Sequence, residues 1–396
     1  MVQMIMLLVV LLAALGAAAE LAARVWFRRC SRDYVLRPNL RLRLHLDPEV
    51  FPQFERVVRF EVNSEGERGY EPPRSTDGLF RVLVVGGSQP EGYFLDQDTN
   101  WPGALQRLLD TPAHRRDLGA SRVHVGCIAR SGVGSEALDL ILKRVLPHYR
   151  RLQAIVVLVG ASDMLRWLEQ GAPAAIPPVE LSDVFRFRTD ASFGWRPRQL
   201  ALTEAVLRMR RRLLKPTQVH DRAGRWVARA RATRAQAKVV RASTPDPAPM
   251  LNHFERHFRS ALQRAQAHAD RVLVARQSWF DKDHTPDELA QMWHGGIGQI
   301  WRQEITMFYS IDVTRRLMAR VDAVAARVAD ELGIEHVDLR SVLEPSLRNY
   351  YDFFHLTPAG SRAVASAVGA AVLGHTVQHS TGSDSEAADR VRHAAV

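Results

Sequence analysis

The chain has 396 residues, 46% hydrophobic and 24% charged, which excludes an extended disordered chain and leaves room for one core domain with a sizeable insertion. Its two cysteines, Cys30 and Cys127, exclude a disulfide framework and lack metal-ligand spacing. The net charge of +11 is uneven: residues 194–241 hold 14 Arg and Lys against only Glu204 and Asp221, so any partner for that charge belongs to this segment.

Residues 1–23 are almost wholly apolar, and Met4 to Ala19 carry no charge. Together with Leu21 to Ala23 they reach roughly 20 residues, the length of a helix that crosses a bilayer. We expect a membrane anchor over 1–28. A cleaved signal peptide is the rival: Ala17-Ala18-Ala19 would suit cleavage, but no Lys or Arg precedes the apolar run. Arg24, Arg28, Arg29 and Arg32 follow the span, and the positive-inside rule would keep the rest of the chain in the cytoplasm. Cys30, just beyond, is a weak lipidation candidate.

Residues 29–80 are polar and broken by prolines, with no clear period; they are expected to be a connector packed on the domain edge. Then come short β-branched runs at 81–85, 123–128, 154–159, 271–275 and 335–339, each suited to a parallel strand buried on both faces. Cys127 falls within one of them and reads as a buried structural thiol. Helical patterns lie at 101–109, 135–145, 249–269, 313–332 and 358–373. Strands alternating with helices predict an α/β fold, a parallel sheet of about five strands with helices on both faces, in a domain over 81–376. Residues 171–250 interrupt the alternation with a Pro-rich start and a basic, helix-forming stretch, and are expected to be an insertion between the third and fourth strands. Residues 377–396 are small and polar and are expected to be a disordered tail.

In a doubly wound sheet, reactive groups gather outside the carboxyl ends of the strands. Gly86-Gly87-Ser88 ends the first strand and exposes a serine on a tight turn. Near the other end, Asp352 stands three residues before His355, and Thr357-Pro358 reads as the N-cap and first turn of a helix. An acid at that spacing can hold one imidazole nitrogen while the other removes a proton from a serine. Ser131-Gly132-Val133-Gly134 follows strand two, and Gly160-Ala161-Ser162-Asp163 follows strand three as a loop. Gly132 and Ser162 are the candidates for donors to an oxyanion.

This set resembles the SGNH hydrolases, also called GDSL-like esterases, whose four blocks run Gly-Asp-Ser, Gly, Gly-x-Asn-Asp and Asp-x-x-His. Here they read Gly86-Gly87-Ser88, Gly132, Gly160-Ala161-Ser162-Asp163 and Asp352-Phe353-Phe354-His355. Asn63-Ser64-Glu65-Gly66-Glu67-Arg68-Gly69 and Asn100-Trp101-Pro102 also resemble stretches of anchored members. The resemblance covers about 60–165 and 270–375. It implies a flavodoxin-like α/β/α domain, a Ser88–His355–Asp352 triad, no cofactor and no metal, and an ester of an acylated cell-envelope glycan as substrate, on the extracytoplasmic side. Two positions depart: Gly87 replaces the family's aspartate and Ser162 its asparagine. Serine has a shorter reach and one donor proton where asparagine has two.

The same residues admit an O-acyltransferase, with a sugar hydroxyl as acceptor, and, because of Ser162, a non-catalytic glycan-binding protein. The basic insertion is a solvated helical face or a contact for anionic lipid. Without a recognition motif or interleaved aromatics it is not expected to bind nucleic acid.

Overall fold

The computed structural model describes residues 1–29, 32–185, 187–188, 200–213, 215–220, 222–300 and 304–374. Cys30 and the expected tail over 377–396 lie outside them. Five parallel strands form the central sheet: β1 (Leu79–Gly86), β2 (Arg122–Ala129), β3 (Leu152–Leu158), β4 (Ala269–Arg276) and β5 (Glu335–Asp338). Their spatial order is β2-β1-β3-β4-β5, the flavodoxin-like doubly wound order. Val82 to Val85 and Ile155 to Val157 have no exposed surface, which is why these strands read as unbroken apolar runs.

Helices Trp101–Leu109 and Pro358–Val372 pack together. Helices Ser135–Val145, Ala248–His268 and Ile311–Glu331 form a second packed group, giving the three-layer α/β/α arrangement. Asn100 caps the first of these helices through Gly103 N–H at 2.8 Å, and Thr357 caps the last through Gly360 N–H. Cys127 is buried and its thiol is pushed up by burial, as suits a structural residue.

Within residues 29–80 the chain forms strands that the sequence reading did not assign. Arg41–His45 and Val57–Glu61 form an antiparallel pair in the register Arg41↔Glu61, and Thr217–His220 of the insertion joins it in parallel. The signal was present: Leu40, Leu42, Leu44 and Leu46 alternate with polar residues at the period of a strand. Leu44, Leu46, Phe51, Val58, Phe60 and, from the insertion, Val227 make a second small core. The insertion therefore contains strands as well as helices Ala201–Leu213 and Arg222–Ala235, and Val239–Arg241 pairs with Met307–Tyr309. Strands of three or four residues leave no periodicity to read, and their pairing energy comes from distant partners.

The N-terminal helix runs Val2–Arg29 and is long and apolar enough over Val2–Phe27 to cross a membrane, with none of its most apolar stretch buried. A retained anchor and a cleaved leader share these properties.

Candidate functional site

Strand β1 and strand β3 are neighbours across which the chain's winding reverses, and the crevice outside their carboxyl ends is where ligands bind in such sheets. Gly86 ends β1. A Cβ there would lie 1.9 Å from the carbonyl oxygen of Leu158 on β3, so only glycine fits. The Gly87 N–H donates to the same carbonyl at 3.2 Å. Ser88 then opens the one-turn helix Ser88–Glu91. Beneath it, Arg68 is buried and donates to the carbonyls of Glu91, of Gly92 at 2.8 Å and of Leu95 at 2.6 Å, tying down the far end of the turn. Glu67, next to it, accepts from Arg81, His124, Asn63 and Tyr149. Burial alone would raise Glu67; His124 and Arg81 outweigh it and hold the carboxyl down at about 2. The Asn63–Gly69 stretch is thus a strut under the serine turn.

The Asp352–His355 loop brings its base to that turn. His355 Nε2 lies 2.8 Å from Ser88 Oγ, and Nδ1 lies 2.7 Å from Asp352 Oδ2. Asp352 has no exposed surface. Its Oδ1 accepts from the Phe354 and His355 N–H groups at 2.8 Å each, and its Oδ2 also accepts from Trp293 Nε1 at 3.0 Å. Burial would raise this carboxyl; the nearby His355 and His294 and the hydrogen bonds from His355 overcome that and keep it ionised far below the ordinary carboxylate range. The His355 ring runs nearly parallel to Tyr351 (5.5 Å between centroids, 16°) and to Trp293 (6.3 Å, 9°), which restricts its rotation. Gln89, immediately after the serine, donates to Ser278 Oγ at 2.9 Å and to the Phe354 carbonyl at 2.8 Å, locking the serine turn to the histidine loop.

Gly132 has φ +83, a conformation glycine tolerates. The Gly160 block is not a loop: Gly160 is an N-cap with φ +143, and Ser162 and Asp163 sit in the first turn of helix Ala161–Glu169. This helix follows at once because the glycine turns the chain sharply after β3. A Cβ on Gly87 would stand 3.4 Å from Ser162 Oγ, so the Ser162 hydroxyl faces the residue before Ser88. Gly132 and Ser162 line one groove with Glu136, Arg166 and His253. Asp163 is hydrogen-bonded to Ser135. Its carboxylate accepts from Ser135 N–H at 2.9 Å and Ser135 Oγ at 2.6 Å, fastening the start of helix Ser135–Val145, just after the Gly132–Gly134 turn, to helix Ala161–Glu169. Loss of hydration raises Asp163 to about 6 against the pull of those hydrogen bonds.

The structure therefore brings Ser88, His355 and Asp352 into one hydrogen-bonded chain and sets Ser162 beside Gly87. Gly86, Gly87, Gly160 and Asp163 shape the turns around them. Arg68 appeared in the sequence only inside a stretch of resemblance; Gln89, Trp293 and His294 carried no local signal, because each acts through a partner far along the chain, and Tyr351, which stacks on His355 four residues on, was passed over.

Two groups of side chains among the described residues have ligand atoms close enough for a cation: His294–Asp352–His355 and Glu136–His253–His257. In the first, Asp352 and His355 are already committed to each other and to Ser88. In the second, the exposed Arg256 stands 3.4 Å from His253 Nδ1 and 3.3 Å from His257 Nε2, already a cation against both rings.

Fold and site together define a doubly wound α/β chain with a Ser–His–Asp hydrogen-bonded array at the carboxyl edge of its sheet. Among solved structures, the chain is similar to an acetylxylan esterase from Geobacillus stearothermophilus, with 12% identity and a TM-score of 0.40, covering 75% of this chain and 94% of that one. It is similar also to an alpha/beta hydrolase enzyme from the metagenome of Lake Arreo, Spain, with 12% identity and a TM-score of 0.40, covering 74% and 94%. No family model and no curated protein matches the chain.

Proposed function

We propose that the protein is a serine ester hydrolase of the SGNH type that works through an acyl-enzyme, acting on an acyl group carried by a cell-envelope glycan. The observation that supports this most is the 2.8 Å approach of His355 Nε2 to Ser88 Oγ, with Asp352 fixing the other nitrogen at 2.7 Å. A serine hydroxyl is a poor nucleophile until such a base takes its proton.

In this reading Ser88 Oγ attacks the ester carbonyl while His355 Nε2 takes the hydroxyl proton. Asp352 stabilises the resulting imidazolium and stays ionised itself. The developing oxyanion is met by the Ser88 and Gly132 N–H groups and by the Ser162 hydroxyl. Collapse of the tetrahedral intermediate breaks the bond to the alcohol, which leaves with the proton from His355. Water, deprotonated by His355, then cleaves the acyl-enzyme, and the proton returns to Ser88 as the acid departs.

A fluorophosphonate probe tests the reading. It should label the wild-type chain and leave Ser88→Ala unlabelled, and free acetate should appear from an acetylated oligosaccharide only with the wild type. Equal behaviour of the two proteins would overturn it. Acetate moved to an added sugar in place of free acetate would assign the same serine to acyl transfer.

A further inference from the structure

Glu20 sits in the helix Val2–Arg29, at the end of its uncharged stretch. Its carboxylate leaves the line of that helix and accepts the N–H groups of Ala201 and Leu202, each at 2.9 Å. It is therefore an N-cap supplied across 181 residues to helix Ala201–Leu213 of the basic insertion, and the two helices pack together. A negative charge at a helix N-terminus satisfies otherwise unpaired donors and complements the helix dipole. Around the same level Arg24 pairs with Glu20 at 2.6 Å and Trp26 is exposed, the residue types that mark a membrane–water boundary.

The docked helix is two-sided. Val206, Met209 and Leu213 recur at i, i+3 and i+7, one face, and each is more than half exposed. Arg208, Arg210, Arg211 and Arg212 occupy every position from 208 to 212 other than Met209. An apolar stripe flanked by arginines is the pattern of a helix lying in a headgroup region, its apolar side sunk toward the acyl chains. Without a membrane, water would have to hydrate both that stripe and the exposed apolar surface of Val2–Leu15.

We propose that helix Ala201–Leu213 lies flat on an anionic bilayer surface, held there by Glu20 of the membrane helix, so that the insertion fixes the catalytic domain's stance over the membrane. This rests on the N-terminal helix being retained, with its uncharged stretch in the membrane, and is independent of the chemistry assigned to Ser88. The basic residues select the partner: each arginine near an anionic leaflet strengthens the attraction roughly fivefold and is screened by salt.

The test uses the full chain, with Cys30→Ser and Met209→Cys carrying a fluorophore, in lipid nanodiscs. One set holds phosphatidylcholine alone and the other phosphatidylcholine mixed with phosphatidylglycerol; both carry a nitroxide-bearing lipid. Quenching at position 209 should be at least about twofold stronger with the anionic lipid. High salt, or the combined Arg208→Glu, Arg210→Glu and Arg212→Glu variant, should return it to the neutral-lipid level, with an unchanged near-UV circular dichroism spectrum showing that the domain is intact. Quenching that ignores headgroup charge overturns the proposal. So does protection of the label by an added anionic oligosaccharide with no response to lipid, which would make the arginines a glycan contact.

Discussion

The indole N–H of Trp293 donates to Oδ2 of Asp352 at 3.0 Å, the same oxygen that holds Nδ1 of His355 at 2.7 Å. A hydrogen bond to a buried carboxylate positions it as well as stabilising its charge. Trp293→Phe keeps an aromatic ring near His355 and removes the donor together with part of the indole. Steady-state kinetics on a soluble aryl ester should show kcat reduced by about tenfold, equivalent to roughly 1.4 kcal/mol, with KM nearly unchanged. A KM effect alone would mean that the indole contacts substrate.

Ser162→Ala removes a hydroxyl that faces Gly87. If that hydroxyl helps hold the oxyanion, kcat should fall by about a hundredfold. Ser162→Asn, which supplies the amide donor on a longer arm, should retain or raise the rate. Unchanged kcat in Ser162→Ala would leave stabilisation to the backbone N–H groups.

Substitutions within the hydrogen-bonded array should not add. Ser88→Ala and His355→Ala should each lower kcat by at least about 10⁴, and the double variant should be no worse than either single one, because neither residue acts without the other. Additive losses would separate the two residues into different steps.

Arg68→Ala would strip the donors from the carbonyls of Glu91, Gly92 and Leu95 and leave a cavity under the serine turn. Urea unfolding should show a loss of at least about 3 kcal/mol. Arg68→Lys keeps the charge but not the fork, so most of that loss should remain.

Glu67 makes stability depend on pH in a defined direction. Its carboxyl is held at about 2 in the folded chain against an ordinary value of 4.5, so the folded state favours the ionised form. That contribution is complete above pH 4.5 and declines as pH falls from there toward about 2. The urea midpoint of the wild type should drop across this window, and Glu67→Gln should start lower and drop less. Asp163, raised to about 6, acts with the opposite sign: its contribution is present below 3.8 and lost as pH rises through about 6.

The reach of the sequence differed from element to element for physical reasons. Strands such as 81–85 were legible because parallel strands buried on both faces must be apolar throughout, and helix 358–373 because Thr357 and Pro358 announce its start locally. The short strands Thr217–His220 and Val239–Arg241 were not, since their partners lie far along the chain. Within the connector over 29–80 the strand Arg41–His45 was signalled by the alternation of Leu40 to Leu46, but the prolines and charges around it hid that period.

By itself the sequence determined the doubly wound α/β architecture, the apolar N-terminal helix, and the serine and the acid–histidine pair as local blocks, because periodicity, turn residues and close spacing are properties of neighbours along the chain. Only the tertiary structure decided that Ser88 meets His355, that Trp293, Gln89 and Arg68 hold that meeting in place, and that Glu20 caps a helix 181 residues away. Those contacts are made by the burial of the sheet and its two helical layers, which sets distant residues side by side and leaves no trace in their local sequence.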